Sequence, residues 1–294
     1  MNYAIIAAGE GSRLAQEGVK LPKPLVNLNG TPMIKRLIDI FMRCNATSLS
    51  IIVNEEMHQV REYLESLDIP VPFKLVVKST PSSMHSFYEV SRHFTDGKFC
   101  LTTVDTIFHE EEFKKYIEAF ENDTTGADGY MAVTSFIDDE KPLYIDTDSD
   151  LNITAFKDAP WDGVKFISGG IYGLTPPALR VLENCMENGV ARMRNYQRAL
   201  VDAGLNLKAF PFEKIVDVDH AGDIETAAMC VEGVENAAAI FDAEQELIAL
   251  YVETQGTLPP RRFNMELKKH IPAYMVPGKL ICMEKLPHTA NDKI

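Results

Sequence analysis

The chain has 294 residues, 46% apolar and 24% charged, a globular composition long enough for one large core and a smaller unit. Its formal net charge of −14 argues against nucleic acid and against an anionic membrane as partner, because both reward basic surfaces. Cys44, Cys100, Cys185, Cys230 and Cys282 form no Cys-x-x-Cys, so neither a zinc knuckle nor a disulfide framework is expected. Reduced thiols, and a strand starting at residue 3 with no room for a signal peptide, predict a cytoplasmic protein. No apolar run approaches the length of a membrane span.

Strand-like and helical runs then alternate along the chain. Tyr3–Ala8 reads as a strand, Pro32–Arg43 as a helix, Leu49–Asn54 as a strand and Met57–Leu67 as a helix. Phe73–Val77 is a strand, Ser83–Phe94 a helix, Lys98–Thr103 a strand and Glu110–Glu121 a helix. This alternation predicts a three-layer, Rossmann-like α/β fold with a mainly parallel sheet, binding ligands beyond the carboxyl ends of its strands. Ala127–Phe136, Tyr144–Asp146 and Leu151–Lys157 read as an antiparallel extension, and Lys165–Leu174 as a further strand. Helices are expected near Pro177–Glu187 and Arg192–Ala203, and Leu205–Pro211 with Lys214–Val218 should close the sheet. Ile224–Val234 reads as the last helix of this part. Asn236–Phe241 and Glu246–Glu253 are strand-like, and Arg262–His270 is a helix with apolar residues at 263, 265 and 267.

The first strand opens into Gly9-Glu10-Gly11-Ser12-Arg13-Leu14, and Pro22-Lys23-Pro24-Leu25 follows. Gly9 and Gly11 let backbone N–H groups approach phosphate oxygens closely. Arg13 offers a planar fork of donors and Lys23 a compact charge. No Gly-x4-Gly-Lys-Ser/Thr string occurs, which excludes a P-loop. Leu14 stands where a dinucleotide fingerprint needs its third glycine. An acidic chain that binds an anion needs local cations; Arg13, Lys20, Lys23 and a divalent metal are the candidates.

From Ile5 to Leu25 the chain resembles the nucleotidyltransferases that make sugar nucleotides and CDP-alcohols, namely nucleotide-sugar pyrophosphorylases and phosphocholine cytidylyltransferases. Asn29-Gly30-Thr31-Pro32-Met33-Ile34 continues the likeness, which extends over residues 1–235. The resemblance implies a GT-A-like nucleotidyltransferase domain. It also implies Mg²⁺-dependent transfer of NMP from an NTP to a phosphorylated sugar or small alcohol, with pyrophosphate released. On this reading Arg13 and Lys23 are catalytic, and Ala8, Gly9, Gly11, Ser12 and Ser83 bind the nucleotide. Asp105, after Phe99–Val104, resembles the Asp that holds the metal. The run Val216-Asp217-Val218-Asp219-His220 resembles the segment supplying the second metal ligand, and both Asp217 and Asp219 fit. Ser82-Ser83-Met84-His85-Ser86 opens a helix where relatives contact base and ribose; N-capping by Ser82 or Ser83 is the alternative. Lys157-Asp158-Ala159-Pro160 stands in place of Glu-Lys-Pro, so that Asp158 matches the residue that grips sugar hydroxyls and Ala159 replaces a lysine. Ser168-Gly169-Gly170-Ile171-Tyr172 resembles the strand in which the residue at Gly170 lets the acceptor approach the backbone. These departures leave base and acceptor open.

The end of the chain has another likeness. Pro272-Ala273-Tyr274-Met275-Val276-Pro277 and Leu286-Pro287-His288-Thr289-Ala290-Asn291-Asp292-Lys293-Ile294 resemble the small α+β lid of adenylate-forming enzymes. Lys293 matches that lid's lysine, and Asp292 replaces its glycine. The likeness starts near Asp223, so a helix over 223–235 is expected to be shared between a domain of residues 1–235 and a module of residues 236–294. Without an adenylation domain, the module implies a docking role toward a protein partner. A non-catalytic nucleotide-binding sensor or scaffold is therefore the alternative to an enzyme.

Overall fold

The computed structural model describes residues 1–9, 21–28, 31–94, 97–136, 141–217, 233–242, 247–254, 259–267 and 277–287. It opens with strand β1 (Asn2–Ala7), a 3-10 turn at Lys23–Leu25, β2 (Asn27–Leu28), β3 (Thr31–Pro32) and helix α1 (Met33–Arg43). Then come β4 (Ser48–Val53), α2 (His58–Glu65), β5 (Phe73–Val77), α3 (Ser83–Ser91), β6 (Phe99–Thr103), β7 (Thr106–Phe108) and α4 (Glu110–Glu121). Strands β8 (Gly129–Thr134), β9 (Tyr144–Thr147), β10 (Ile153–Lys157) and β11 (Phe166–Leu174) precede α5 (Pro177–Glu187) and α6 (Met193–Asp202). The remainder is β12 (Leu207–Phe212), β13 (Ile215–Asp217), β14 (Asn236–Asp242), β15 (Leu247–Glu253), α7 (Pro260–Leu267) and β16 (Lys279–Met283). By contact the chain divides into two compact units, residues 1–10 with 37–217 and residues 11–36 with 218–294.

The first unit is built on a nine-stranded sheet of order β10-β9-β11-β6-β1-β4-β5, with β8 beside β11 and β12 beside β8. β6, β1, β4 and β5 are parallel, and every residue of β1 is buried, as expected of a strand covered on both faces. Tyr3 stacks on Phe41 of α1 at 4.3 Å between ring centroids, and Phe41 lies 5.6 Å from Phe113 of α4. Ala4, Ile6 and Ala8 belong to the core cluster on the other face, with Phe87 of α3, Leu182 of α5 and Tyr196 of α6. The period-2 alternation of one strand thus feeds both helical layers.

The expected antiparallel extension is present: β9, β10 and β11 follow one another without an intervening crossover helix and so return antiparallel, and β8 joins antiparallel to β11. One expectation is corrected. β13 does not close this sheet: it pairs antiparallel with β7 as a separate ribbon, Ile215 opposite Phe108 and Asp217 opposite Thr106.

In the second unit β14 pairs antiparallel with β15, and β15 parallel with β16. α7 buries Phe263 and Leu267, while Met265 is 70% exposed. Of the three apolar positions of this helix, 263 and 267 share one face and 265 points away from it. In the same unit the Met33 N–H donates to the Val26 carbonyl at 3.0 Å, beside the β2–β3 pair. Residues 224–232 of the expected helix and Lys293 lie outside the described residues, and Gly233–Val234 are not helical. Among the described residues no helix is long and apolar enough to cross a membrane.

Candidate active site

The candidate site is built around the carboxyl end of β1. The Val104 N–H donates to the Ile6 carbonyl at 3.0 Å, carrying the parallel β1–β6 pairing one residue past β6. The chain turns directly after that bond, so Asp105 follows at the same end of the sheet as Ala8. Ala8 is buried and Gly9 is exposed. Gly9 has no φ in the left-handed region, and among the described residues nothing lies within 4 Å of where its Cβ would stand. Among the described residues, then, neither packing nor a left-handed backbone requires glycine at this position.

Asp105, half-buried, occupies the turn between β6 and β7. The Thr103 and Thr106 hydroxyls share a hydrogen bond of 2.7 Å across this turn. Because β13 runs against β7 with Asp217 opposite Thr106, the chain brings its second acidic segment to within one register position of Asp105. Carboxylate oxygens are hard donors, and a pair of them is a donor set that suits Mg²⁺ when substrate phosphates complete the shell. Among the described residues no group of three or more His, Cys, Asp or Glu could hold a metal on its own. Asp219 lies outside the described residues, as do Gly11, Ser12 and Arg13 of the glycine loop. Lys23 stands on the 3-10 turn of the second unit, between Pro22 and Pro24.

The ribbon is seated against β11. A Cβ on Gly169 would collide with Ile215 Cδ1, and one on Gly170 would lie 3.2 Å from Thr106 Oγ1. Gly170 has φ +71°, and the register of β11 against β8 shifts between Ser168 and Tyr172, so both glycines sit in a bulge. Such bulges bend a strand and re-aim what it carries. The structure thus supplies an internal reason for Gly170, alongside the acceptor-binding reason expected from the sequence.

Ser82 and Ser83 open α3 beyond the carboxyl end of β5. Ser82 holds the N-cap position with no capping bond from its side chain; its hydroxyl instead shares a 2.8 Å hydrogen bond with His85 Nδ1. Side-chain capping by Ser82 is therefore not what this serine does. Ser83 follows as the first, half-buried residue of the helix, next to Met84 in the core.

Asp158 begins the loop after β10 and is gripped from α6. Arg194 Nη1 donates to its Oδ1 and Arg198 Nη2 to its Oδ2, each at 2.7 Å. Hydrogen bonds from Arg198 and Arg194 hold this carboxyl below the usual carboxylate range. Beside it Lys157 pairs with Asp146 at 2.8 Å and lies 4.1 Å above the centroid of the Trp161 ring. Sequence reasoning passed over Arg194, Arg198 and Trp161. The signal available was the i, i+4 spacing of the two arginines, which puts both on one helix face.

Comparison with known proteins bears on the family and the fold. Residues 223–293 match the AMP-binding enzyme C-terminal domain. Over 223 residues the chain is 26% identical to the bifunctional protein GlmU of Thermodesulfovibrio yellowstonii, covering 72% of this chain and 47% of that protein. Over 114 residues it is 27% identical to a 2-aminoethylphosphonate cytidylyltransferase of Lancefieldella rimae, covering 37% of this chain and 45% of that one. The chain thus spans about half the length of these curated relatives. Its fold is that of the inositol-1-phosphate CTP transferase from T. maritima, with a TM-score of 0.64 at 18% identity over 75% of this chain and 90% of that one. The MobA-like NTP transferase domain family matches residues 3–154, more than half of the length, and the chain belongs to that family.

Proposed function

We propose that the protein is a nucleotidyltransferase that moves NMP from an NTP to a phosphorylated small molecule and releases pyrophosphate. The observation that carries this reading is the β7–β13 pairing, which sets Asp217 opposite Thr106, the residue after Asp105. Mg²⁺, when bound by Asp105 with Asp217 or Asp219, supplies charge neutralisation at the phosphates. An oxygen of the acceptor's phosphate attacks the α-phosphorus of the NTP in line, and the bond to the β-phosphate breaks as pyrophosphate leaves. Little covalent work falls to the protein, so its residues act by positioning. Gly9 and Gly11 admit the phosphates to the backbone, Arg13 and Lys23 steady their charge, and Ala8, Ser12 and Ser83 bound the nucleotide. Gly170 and Asp158 face the acceptor. The family match at residues 3–154 and the shared fold support this assignment.

Incubation of the protein with each of the four NTPs, Mg²⁺ and a panel of phosphorylated acceptors tests it by pyrophosphate release. Turnover with one NTP–acceptor pair, abolished in Asp105→Ala, is the expected result. Nucleotide binding without turnover across the panel would instead identify a sensor. The C-terminal module, by its match to a lid domain, is assigned a docking role toward a protein partner. The relatives' names include both a cationic acceptor, 2-aminoethylphosphonate, and a neutral polyol phosphate, inositol 1-phosphate, so the choice falls to this chain's own residues.

A further inference from the structure

The loop after β10 carries the features that could read the acceptor's head. A cationic head is bound by carboxylates or by aromatic faces. Here both kinds of partner are present and both are already engaged by cations of the chain. Asp158 takes one guanidinium N–H on each carboxylate oxygen, from Arg194 and Arg198 at 2.7 Å. Asp146 takes the Lys157 ammonium at 2.8 Å, and the same ammonium covers the Trp161 ring at 4.1 Å. Three cations thus face these two carboxylates; the loop's other carboxylate, Asp162, is exposed four residues farther along.

The arginines are themselves held. Arg194 Nη2 donates to the Lys141 carbonyl at 2.9 Å. Arg198 Nε donates to the Phe156 carbonyl at 3.2 Å and its Nη1 to Asn195 Oδ1 at 3.0 Å. An incoming ammonium must break these contacts before reaching Asp158. A hydroxyl need not: a carboxylate has about four acceptor positions, and the guanidiniums occupy one on each oxygen. The Asp158 side chain is 58% exposed, so the remaining positions are open to a donor.

The placement fits an acceptor body. Lys157 pairs with Tyr144, and Tyr144 with Ile167, two residues before the Gly169–Gly170 bulge. Asp158 therefore lies two strand spacings, roughly 10 Å, from the strand that abuts the Asp105 turn.

We propose that the acceptor is a neutral, hydroxyl-rich phosphate ester, a sugar or polyol phosphate, and that Arg194, Arg198 and Lys157 exclude acceptors with a cationic head. Arg194 and Arg198 act through Asp158 as positioning residues. The proposal rests on the nucleotidyltransferase reading above. The test measures pyrophosphate release by the full chain with each NTP and Mg²⁺. Its acceptors are glucose 1-phosphate and inositol 1-phosphate against phosphocholine and 2-aminoethylphosphonate. The wild type is expected to prefer a neutral acceptor at least tenfold in kcat/KM. Asp158→Asn raises KM for that acceptor more than it lowers kcat, and Arg194→Gln with Arg198→Gln narrows or inverts the preference. Arg198→Lys, which keeps the charge, retains it. A purely structural role for the arginines would lower turnover of every acceptor alike. Wild-type preference for phosphocholine or 2-aminoethylphosphonate overturns the proposal whether or not the variants fold, and leaves the nucleotidyltransferase reading standing. Absence of turnover with every pair overturns both.

Discussion

Two glycines of the site, each replaced by alanine, should fail in opposite ways. At Gly170 the backbone is left-handed, φ +71°, and a Cβ would press on Thr106 Oγ1 at 3.2 Å. The conformational cost for a residue with a side chain is about 1–2 kcal/mol. For a unit of this size each kcal/mol lowers the unfolding midpoint by roughly 2–4 °C, so Gly170→Ala should lose roughly 2–8 °C. Pressure on Thr106 also reaches its hydrogen bond to Thr103, at 2.7 Å, and hence the Asp105 turn, so kcat should fall as well. At Gly9 neither condition applies: φ is not left-handed, and among the described residues nothing lies within 4 Å of the added methyl. Gly9→Ala should leave the midpoint unchanged or raise it, since a compatible Gly→Ala exchange stabilises by about 0.4–1 kcal/mol. On the proposed function the methyl would fill space assigned to a phosphate, and the KM for NTP should rise about tenfold, equivalent to about 1.4 kcal/mol. Thermal unfolding and NTP titration of pyrophosphate release measure both effects. If Gly9→Ala unfolds early, or keeps the wild-type KM, the assignment of this glycine to the nucleotide is wrong.

Three further outcomes are expected. Asp105→Ala should abolish pyrophosphate release while its midpoint stays within a few degrees of wild type; wild-type-like turnover would remove Asp105 from the site. Gly173→Ala should destabilise by about 1–3 kcal/mol through overpacking, because a Cβ there would stand 2.7 Å from the Tyr116 hydroxyl and 2.8 Å from Phe120 Cδ1. Burial pushes the Asp123 carboxyl up, but hydrogen bonds from the Thr125 hydroxyl, the Ala127 N–H and the Tyr130 hydroxyl outweigh it and hold the pKa at about 2. A depressed carboxylate stabilises above its unfolded value, near 3.9, and that contribution fades as pH falls toward the folded one. The stability gap between wild type and Asp123→Asn should therefore shrink from pH 5 to pH 2 in urea titrations, and a gap independent of pH would refute the hydrogen-bond account.

Local chemistry made much of this protein legible from its sequence. Apolar periodicity is a property of neighbouring residues, which is why Phe73–Val77, Glu110–Glu121 and Pro177–Glu187 carry the same bounds in the structure as in the sequence reading. Asp105 was placed at a strand end because an apolar run stops there, and the glycine loop was recognisable because its residues are contiguous. What joins these pieces is not local. β7 and β13 are three residues each, too short for any period to register, and their pairing links Thr106 to Asp217 across more than a hundred positions. Only the folded chain decides which strand lies beside which, since backbone hydrogen bonds are indifferent to sequence and register is set by the packing around them. The same holds for Asp158. Its identity could be read, but the two guanidiniums that turn it from an open carboxylate into a guarded one arrive from a helix 36 and 40 positions later. The sequence alone nominated the residues to which the chemistry is assigned. The tertiary structure decided which of them meet, because a charge's partners are chosen in space and not along the chain.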